Sequence, residues 1–209
     1  MPVAPFFRDD ATLEIGVDEV GRGPLFGRVY TAAVVLPKEG FDFAKMKDSK
    51  KFHSKKKILE AAQYIKSNAI AWAVTFEDEK VVDELNILQA TQKCMHRSVS
   101  TVLPKLGASS ALLLVDGNYF NSYPNVPHLC VEGGDDKYAS IAAASILAKT
   151  ERDAYIVDMC EKHPELVERY HLDKNKGYGT KEHIDGIKKY GATEWHRRSF
   201  RPLKPKPTF

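Results

Sequence analysis

Residues 13–24 read LEIGVDEVGRGP, a strand pattern that runs into two carboxylates and a glycine-rich turn. Apolar residues alternate with polar or small ones, which is the two-residue period of a strand with two distinct faces. Side chains alternate across a regular strand, so Asp18 and Glu19 would point to opposite faces. Gly21 and Gly23 permit a bend that brings both carboxylates to one point. The stretch therefore indicates either a cation site beside exposed backbone amides or an ordinary turn after a polar strand end.

The composition is that of a soluble globular protein, because 43% of the 209 residues are hydrophobic and 28% are charged. This length predicts one domain with a proper core. No apolar run approaches the ~20 residues of a membrane helix, and the first ten residues hold no signal-peptide core, so we expect no membrane partner. Cys94, Cys130 and Cys160 lie far apart, which predicts reduced thiols, a cytoplasmic location and no structural zinc. We also expect a monomer.

The net charge of +3 is unevenly distributed along the chain. Residues 45–57 hold seven lysines against one acid, and residues 169–209 hold eleven lysines and arginines against four acids. The remaining residues therefore carry a net charge of −10. An acidic body with two basic segments is expected if phosphates lie across a carboxylate centre. The alternative is that the basic segments only solvate surface helices.

The pattern of apolar residues predicts a mixed α/β sheet flanked by helices. Five strands are expected, the first three antiparallel, at residues 13–18, 28–36, 69–76, 111–115 and 126–131. One helix is expected from about residue 83 to 102, and a longer one from about 140 to 162. Short helices and turns follow Pro164 and form a small helical C-terminal part. The tail 201–209 contains three prolines and is expected to be extended and mobile.

Acidic residues follow the predicted strands at the edge where ligands of such sheets gather. Asp18 and Asp116 each end a strand, and they can share one cation if the two strands are parallel neighbours. Asp135 would come from the next element, just ahead of a helix. Together with Glu19 they form an oxygen ligand set, which favours Mg²⁺ or Mn²⁺ over zinc. Two such ions about 4 Å apart can activate water and stabilise the leaving oxygen of a phosphodiester.

Simpler interpretations of these residues stay open at this point. Asp116 precedes a glycine and is typical of a turn, and Asp135 is placed like a helix N-cap. Asp136 is adjacent and could take the role given to Asp135. His183 and His196 could orient a loop, contact phosphate or be structural.

Six motifs, in order along about residues 13–202, resemble those of ribonuclease HII. They are DEVGRGP at 18–24, DSKK at 48–51, VDG at 115–117, GD at 134–135 ahead of SIAAAS at 140–145, GYGT at 177–180 with His183, and HRRSF at 196–200. The resemblance implies a ribonuclease H-like fold with a catalytic core at 1–165 and a substrate-holding part and flexible tail at 166–209, in one continuous domain. It also implies a metal-binding catalytic quartet: Asp18, Glu19, Asp116 and Asp135.

The same resemblance implies how substrate is held. Residues Gly21, Arg22 and Gly23 match the loop that senses the ribose 2′-hydroxyl, chiefly through backbone contacts. Tyr178 matches the tyrosine that stacks on the sugar following the ribonucleotide. Lys50 is expected to contact phosphate, and Thr180 is also expected at the substrate.

The family cuts on the 5′ side of ribonucleotides in duplex DNA and RNA/DNA hybrids, leaving 3′-hydroxyl and 5′-phosphate ends, in ribonucleotide excision repair and primer removal. A general hybrid nuclease or resolvase of the same fold, and an inactive nucleic-acid-binding module, are the alternatives. The chain departs from the family pattern at three positions, Phe26, Arg28 and Gly133. The first two bear on the groove beside the glycine loop, and the third removes a lysine that often precedes the GD motif.

Overall fold

The computed structural model describes residues 3–107 and 110–204, which form one five-stranded sheet covered by helices. The strands are β1 (Leu13–Val20), β2 (Val29–Val35), β3 (Ala71–Glu77), β4 (Ala111–Asp116) and β5 (His128–Val131). Their order across the sheet is β3-β2-β1-β4-β5. The first three strands pair antiparallel, whereas β4 is parallel to β1 and β5 is parallel to β4. The predicted mixed sheet is confirmed, with β1 at its centre.

Seven α-helices and short 3₁₀ turns make up the rest of the described structure. The α-helices are α1 (Lys55–Asn68), α2 (Glu79–Leu85), α3 (Ile87–Val102), α4 (Ala139–Lys162), α5 (Glu165–Tyr170), α6 (Leu172–Asn175) and α7 (Lys181–Tyr190). The prediction of a single helix from residue 83 to 102 was wrong. Asn86 adopts φ +68° and accepts hydrogen bonds from the amides of Leu88 and Gln89, which ends α2 and caps α3.

Each face of the sheet packs against a different helix. Ile15 and Val17 point to the side covered by α3, in one apolar cluster with Val99. On the other side the small residues of α4 pack against β2, in a cluster that includes Ala32 and Ala143. The N-terminal half of α4 is buried almost throughout, because it lies between the sheet and α1. The alternation along β1 thus decides which helix each residue meets.

Gly16 sets the distance between β1 and α4. A β-carbon added at Gly16 would lie 2.0 Å from the carbonyl carbon of Ser140 and 2.4 Å from the amide nitrogen of Ile141. Both neighbours are backbone atoms at the start of α4, so they cannot move aside without shifting the helix. The strand that carries Asp18 is therefore pressed directly against the helix that follows the GD motif.

Gly16→Ala is expected to destabilise the protein by about 3 kcal/mol or more, because overpacking at a backbone contact forces strand and helix apart. Gly179→Ala is the matched control, since its added β-carbon would meet only side-chain ends, Leu25 Cδ1 at 3.1 Å and Ile184 Cδ1 at 3.8 Å, and no backbone. Urea unfolding of both variants measures the difference. Equal stabilities for the two variants would contradict the close contact of β1 and α4.

The C-terminal helices form the predicted helical part and pack on the main body through an apolar cluster of their own. Phe26 and Ile156 contribute to this cluster from the body, and Leu166, Tyr170 and Ile187 contribute from α5 and α7. The division of the chain at residue 165 stays a prediction.

The predicted tail is described only in part. Residues 201–204 turn back rather than extend, since the amides of Leu203 and Lys204 donate to the carbonyl of Phe200. Residues 205–209 lie outside the described residues. Among the described helices, none is both long and apolar enough to cross a membrane.

Candidate active site

Three carboxylates meet where β1 and β4 end. These strands are parallel neighbours, with Val17 opposite Val115, so the residues that follow, Asp18 and Asp116, lie side by side on adjacent strands. β1 continues to Val20 in register with β2, so the predicted bend does not fall at Asp18 or Glu19. One oxygen from each of Asp18, Glu19 and Asp116 lies within 4.8 Å of the other two. The structure therefore brings together three of the four carboxylates singled out in the sequence, which we call the carboxylate cluster.

Burial and mutual repulsion characterise the carboxylate cluster. Asp18 is only 4% exposed, and burial, followed by the charges of Glu19 and Asp116, raises its pKa well above the usual value. Burial also raises the pKa of Glu19, whereas the Arg22 guanidinium, 3.5 Å from its Oε1 atom, opposes that rise. An all-oxygen donor set that repels itself fits a hard divalent cation.

Asp135 lies beside the carboxylate cluster rather than within it. It belongs to the 3₁₀ turn Gly134–Asp136 and is 6% exposed. Burial, followed by the charges of Asp116 and Asp48, raises its pKa, and Lys50 Nζ lies 3.6 Å from its Oδ2 atom. The Gly134 amide donates to Asp116 Oδ1 at 2.6 Å, which fastens this turn to the end of β4.

The geometry distinguishes Asp135 from its neighbour Asp136 and from a helix cap. Asp136 is half-exposed and pairs with Lys51, away from the cluster, so the geometry favours Asp135 as the site residue. Asp135 does not cap α4, because the capping position is Tyr138, which makes no side-chain cap bond. Gly133 adopts φ +61°, a left-handed conformation that glycine takes without strain, and a β-carbon added there would meet no atom within 4 Å.

Two buried serines connect the DSKK motif to the cluster. Ser49 Oγ lies 3.0 Å from Ser145 Oγ on α4, and both residues are buried. Ser145 in turn hydrogen-bonds Asp18, which partly offsets the rise in its pKa. Asp48 accepts a hydrogen bond from the Lys50 amide at 2.8 Å and so begins the turn that holds Lys50 at the site. No spacing in the sequence indicated the serine contact.

The glycine loop, defined here as residues 21–27, lies directly beyond the cluster. Gly21 adopts φ +90°, and Gly23 is exposed. A β-carbon added at Gly23 would lie 3.4 Å from the ring of Tyr178, which is itself 47% exposed. The Leu25 amide donates to the Gly177 carbonyl at 2.8 Å. The loop and Tyr178, far apart in sequence, are thus adjacent on the surface.

A buried pair of histidines holds the backbone of Tyr178. His183 Nδ1 lies 2.9 Å from the Tyr178 carbonyl, and the Nε2 atoms of His183 and His196 lie 3.0 Å apart. The Thr193 amide donates to His196 Nδ1, so the proton of His196 is on Nε2 and is donated to His183. Both rings are neutral in this relay, and both are fully buried. The possibility that they contact phosphate was wrong, and the loop-orienting interpretation fits their bonds.

The histidine relay is expected to make stability fall in acid. Burial lowers the pKa of His183 and lowers that of His196 to about 3, from a usual 6.5. Because each histidine has a lower pKa in the folded state than in the unfolded state, protonation favours unfolding. Stability should therefore be full above the unfolded-state pKa of 6.5 and decline as the pH falls toward 3. The expected slope is about 1.4 kcal/mol per pH unit for His196 between pH 6.5 and about 3, and His183 adds to it over the part of that range above its own lowered pKa. Urea unfolding at pH 7, 6, 5 and 4 checks it, and His196→Asn should show a shallower decline.

The remaining residues singled out in the sequence occupy supporting positions. Thr180 caps α7 by accepting from the His183 amide at 3.4 Å and remains exposed. Phe26 is fully buried against Trp195 and His196. The Arg28 guanidinium lies between the rings of Phe76 and Tyr155, 3.9 and 4.6 Å from their centroids. The two departures near the loop are therefore packed into the body.

Comparison with known proteins relates this geometry to a family. The family model described as Ribonuclease HII matches residues 15–203. Ribonuclease HII from Bacteroides thetaiotaomicron is 45% identical over 199 residues, which cover 95% of this chain and 94% of that protein.

Solved structures agree in fold. Ribonuclease H2 from Pyrococcus horikoshii OT3 aligns with a TM-score of 0.72 at 20% identity, over 92% of this chain and 96% of that one. Bst-RNase HIII in complex with Mn²⁺ aligns with a TM-score of 0.56 at 17% identity, over 85% of this chain and 70% of that one.

Proposed function

The chain belongs to the ribonuclease HII family and is an endonuclease of the ribonuclease H type, and we propose that it cuts on the 5′ side of ribonucleotides embedded in duplex DNA. RNA/DNA hybrids are also substrates in this proposal, and the products carry 3′-hydroxyl and 5′-phosphate ends. The observation that carries it is the carboxylate cluster, with Asp135 beside it, at the edge of an exposed loop and an exposed tyrosine. Ribonucleotide excision repair and primer removal would use this activity.

The acidic residues would hold two divalent cations, Mg²⁺ or Mn²⁺. Asp18, Glu19 and Asp116 would form one converging site, and Asp135, whose carboxylate interacts with that of Asp116, would complete a second. Cations bound there would supply an activated water and charge stabilisation for the leaving oxygen. The Lys50 ammonium lies 3.6 Å from Asp135 and is largely exposed. It could therefore also contact a phosphate next to the scissile bond.

Selection of ribonucleotides falls to the exposed groups beyond the cluster. A protein distinguishes RNA from DNA at a given site through the 2′-hydroxyl. Gly21 and Gly23, on either side of Arg22, have no side chain that would keep a 2′-hydroxyl away from the backbone amides of this segment. Tyr178 offers an exposed ring face beside Gly23, suited to stacking on the next sugar. Thr180 lies at the exposed start of α7, close in sequence to this ring.

The three cysteines are unpaired, which agrees with a cytoplasmic enzyme, and we propose that it acts as a monomer.

A labelled DNA duplex with one ribonucleotide, incubated with Mg²⁺, tests the proposal directly. Cutting is expected at a single position, 5′ to the ribonucleotide, and an all-DNA duplex of the same sequence should remain intact. Binding without cutting would instead show a nucleic-acid-binding module. Equal rates on this duplex and on an all-RNA hybrid would show a general hybrid nuclease, since a junction-reading tyrosine would then have no role.

Divalent cations are expected to stabilise the protein more at pH 8 than at pH 5. The raised pKa of Asp18 means that its ionisation disfavours folding as the pH rises above the unfolded value of 3.8, and a cation reverses this. At ten times its Kd a cation should raise Tm by about 3–6 °C. Thermal unfolding with Mn²⁺ and with a chelator measures the shift at both pH values. An equal shift at both, or the same shift in Asp116→Asn, would contradict binding at the cluster.

A further inference from the structure

Arg197 is fully buried and directs its guanidinium at the glycine loop. Four of its N–H groups donate to backbone carbonyls of that one loop, at 2.8 to 3.0 Å: those of Gly21, Arg22, Pro24 and Gly27. The Arg197 amide also donates to the Leu25 carbonyl at 2.8 Å. Within the described ranges, no carboxylate lies close enough to the guanidinium to form an ion pair.

A buried charge without an ionic partner is an unusual arrangement, because desolvating it is unfavourable. Burial, followed by the charge of Arg152, lowers the pKa of Arg197 to about 9. The loop carbonyls compensate by accepting nearly all of its hydrogen bonds. Leu25 and Phe26 pack into the C-terminal apolar cluster, but Gly21 and Gly23 have no side chain that could fix the peptide planes at the start of the loop.

The orientation of the carbonyls fixes the orientation of the amides. In a trans peptide the C=O and the N–H point in opposite directions. The carbonyls of Gly21 and Arg22 point inward to Arg197, so the amides of Arg22 and Gly23 point away from it. Both of these residues are exposed, and in the described part of the chain neither amide donates to another protein group. Gly23 also borders Tyr178.

We propose that Arg197 is a positioning residue that turns the Arg22 and Gly23 amides toward the ribose 2′-hydroxyl. It acts from beneath the loop and never touches the nucleic acid. Loss of its bonds lets the peptide planes rotate, which weakens the distinction between ribose and deoxyribose more than it weakens phosphate contacts. The inference rests on the proposed function, since it assigns the origin of ribonucleotide selection within it.

Binding preference is the readout that a purely structural role would not change. The dissociation constants of a duplex with one ribonucleotide and of the all-DNA duplex of the same sequence are compared without divalent cations. The wild type should prefer the ribonucleotide, and Arg197→Met should lose about three- to tenfold of that preference, the worth of a hydrogen bond. Its affinity for all-DNA should stay unchanged. Arg197→Lys keeps the charge but has one donor atom, so it should restore only part of the preference.

Leu166→Ala is the matched control for lost stability, because it truncates a fully buried residue of the C-terminal cluster without touching the loop carbonyls. It should bind both duplexes with the wild-type preference. Folded Arg197 variants that keep the full preference would overturn the inference and leave the proposed function intact. A wild-type protein without any ribonucleotide preference would overturn the proposed function as well.

If the Arg197 variants do not fold, amide NMR of the wild type tests the inference instead. Amide NMR of the free protein should show rapid hydrogen exchange at Arg22 and Gly23, because neither amide is bonded within the protein. The duplex with one ribonucleotide should shift and protect both signals, whereas the all-DNA duplex should not. Slow exchange in the free protein, or equal shifts with both duplexes, would overturn the inference.

Discussion

Asp116→Asn is expected to reduce cleavage of a single-ribonucleotide duplex by about a thousandfold or more, since one group that stabilises the transition state contributes about 10²–10³ on its own. Asp116 belongs to the carboxylate cluster and also lies near Asp135, so in the proposed two-cation arrangement its loss would disturb the binding of both cations. An asparagine keeps the oxygen that accepts from the Gly134 amide, and the fold should be preserved. Single-turnover kinetics with Mg²⁺ give the rate.

Binding separates a catalytic loss from a folding loss in this variant. The affinity for the uncut duplex should change by no more than about threefold, because phosphate contacts come from other residues. Asp136→Asn is the matched control, being one residue from Asp135 yet paired with Lys51. It should keep nearly full activity, whereas Asp135→Asn should lose most of it. The reverse pattern would transfer the site role to Asp136.

Tyr178→Ala is expected to lower cleavage of a single-ribonucleotide duplex by roughly five- to 150-fold, the range given by the 1–3 kcal/mol typical of an aromatic stacking contact. The ring is exposed and lies beside Gly23, so its removal leaves no cavity in the core. Cleavage of an all-RNA hybrid should suffer less, because that substrate has no RNA–DNA junction. The ratio of the two rates, measured as kcat/KM, is the decisive quantity.

Tyr178→Phe controls for the hydroxyl group. Phenylalanine retains the stacking face, and the Tyr178 carbonyl that accepts from His183 is backbone, so both variants keep the histidine relay. The phenylalanine variant should therefore cut nearly as fast as the wild type. Loss of activity on both substrates to the same extent in Tyr178→Ala would speak against a junction-reading role.

Local patterns in the sequence were sufficient to predict the sheet. Alternation along β1, and the short apolar run of β4, each have a single interpretation when one or both faces are buried. The parallel pairing of these two strands was a condition for the meeting of Asp18 and Asp116, and it is the structure that shows this pairing. Because these acids offer only oxygen ligands, the sequence also predicted a hard divalent cation such as Mg²⁺ or Mn²⁺.

Contacts between distant residues were not predictable in the same way. Gly16 carries no local signal for its contact with Ser140, since the contact depends on how a strand and a helix 124 residues later meet. The break at Asn86 depends on a single positive φ that asparagine tolerates but does not require. Arg197 stands in a motif with three other polar residues, and only the fold shows that Arg197 and His196 are buried whereas Arg198 is exposed.

The residues proposed for catalysis and the tyrosine proposed for junction recognition lie in parts of the molecule that differ in local stability. Asp18 and Glu19 lie on the central strand and Asp116 on its neighbour β4, whereas Tyr178 belongs to a peripheral unit joined to the body by its own apolar cluster. Peripheral units of this kind detach at lower temperature than central strands. On warming, the proposed stacking of Tyr178 at the junction should therefore be lost before the carboxylate cluster comes apart. Near its upper temperature limit the enzyme should still cut at ribonucleotides, but more slowly and with less preference for a junction over an all-RNA hybrid.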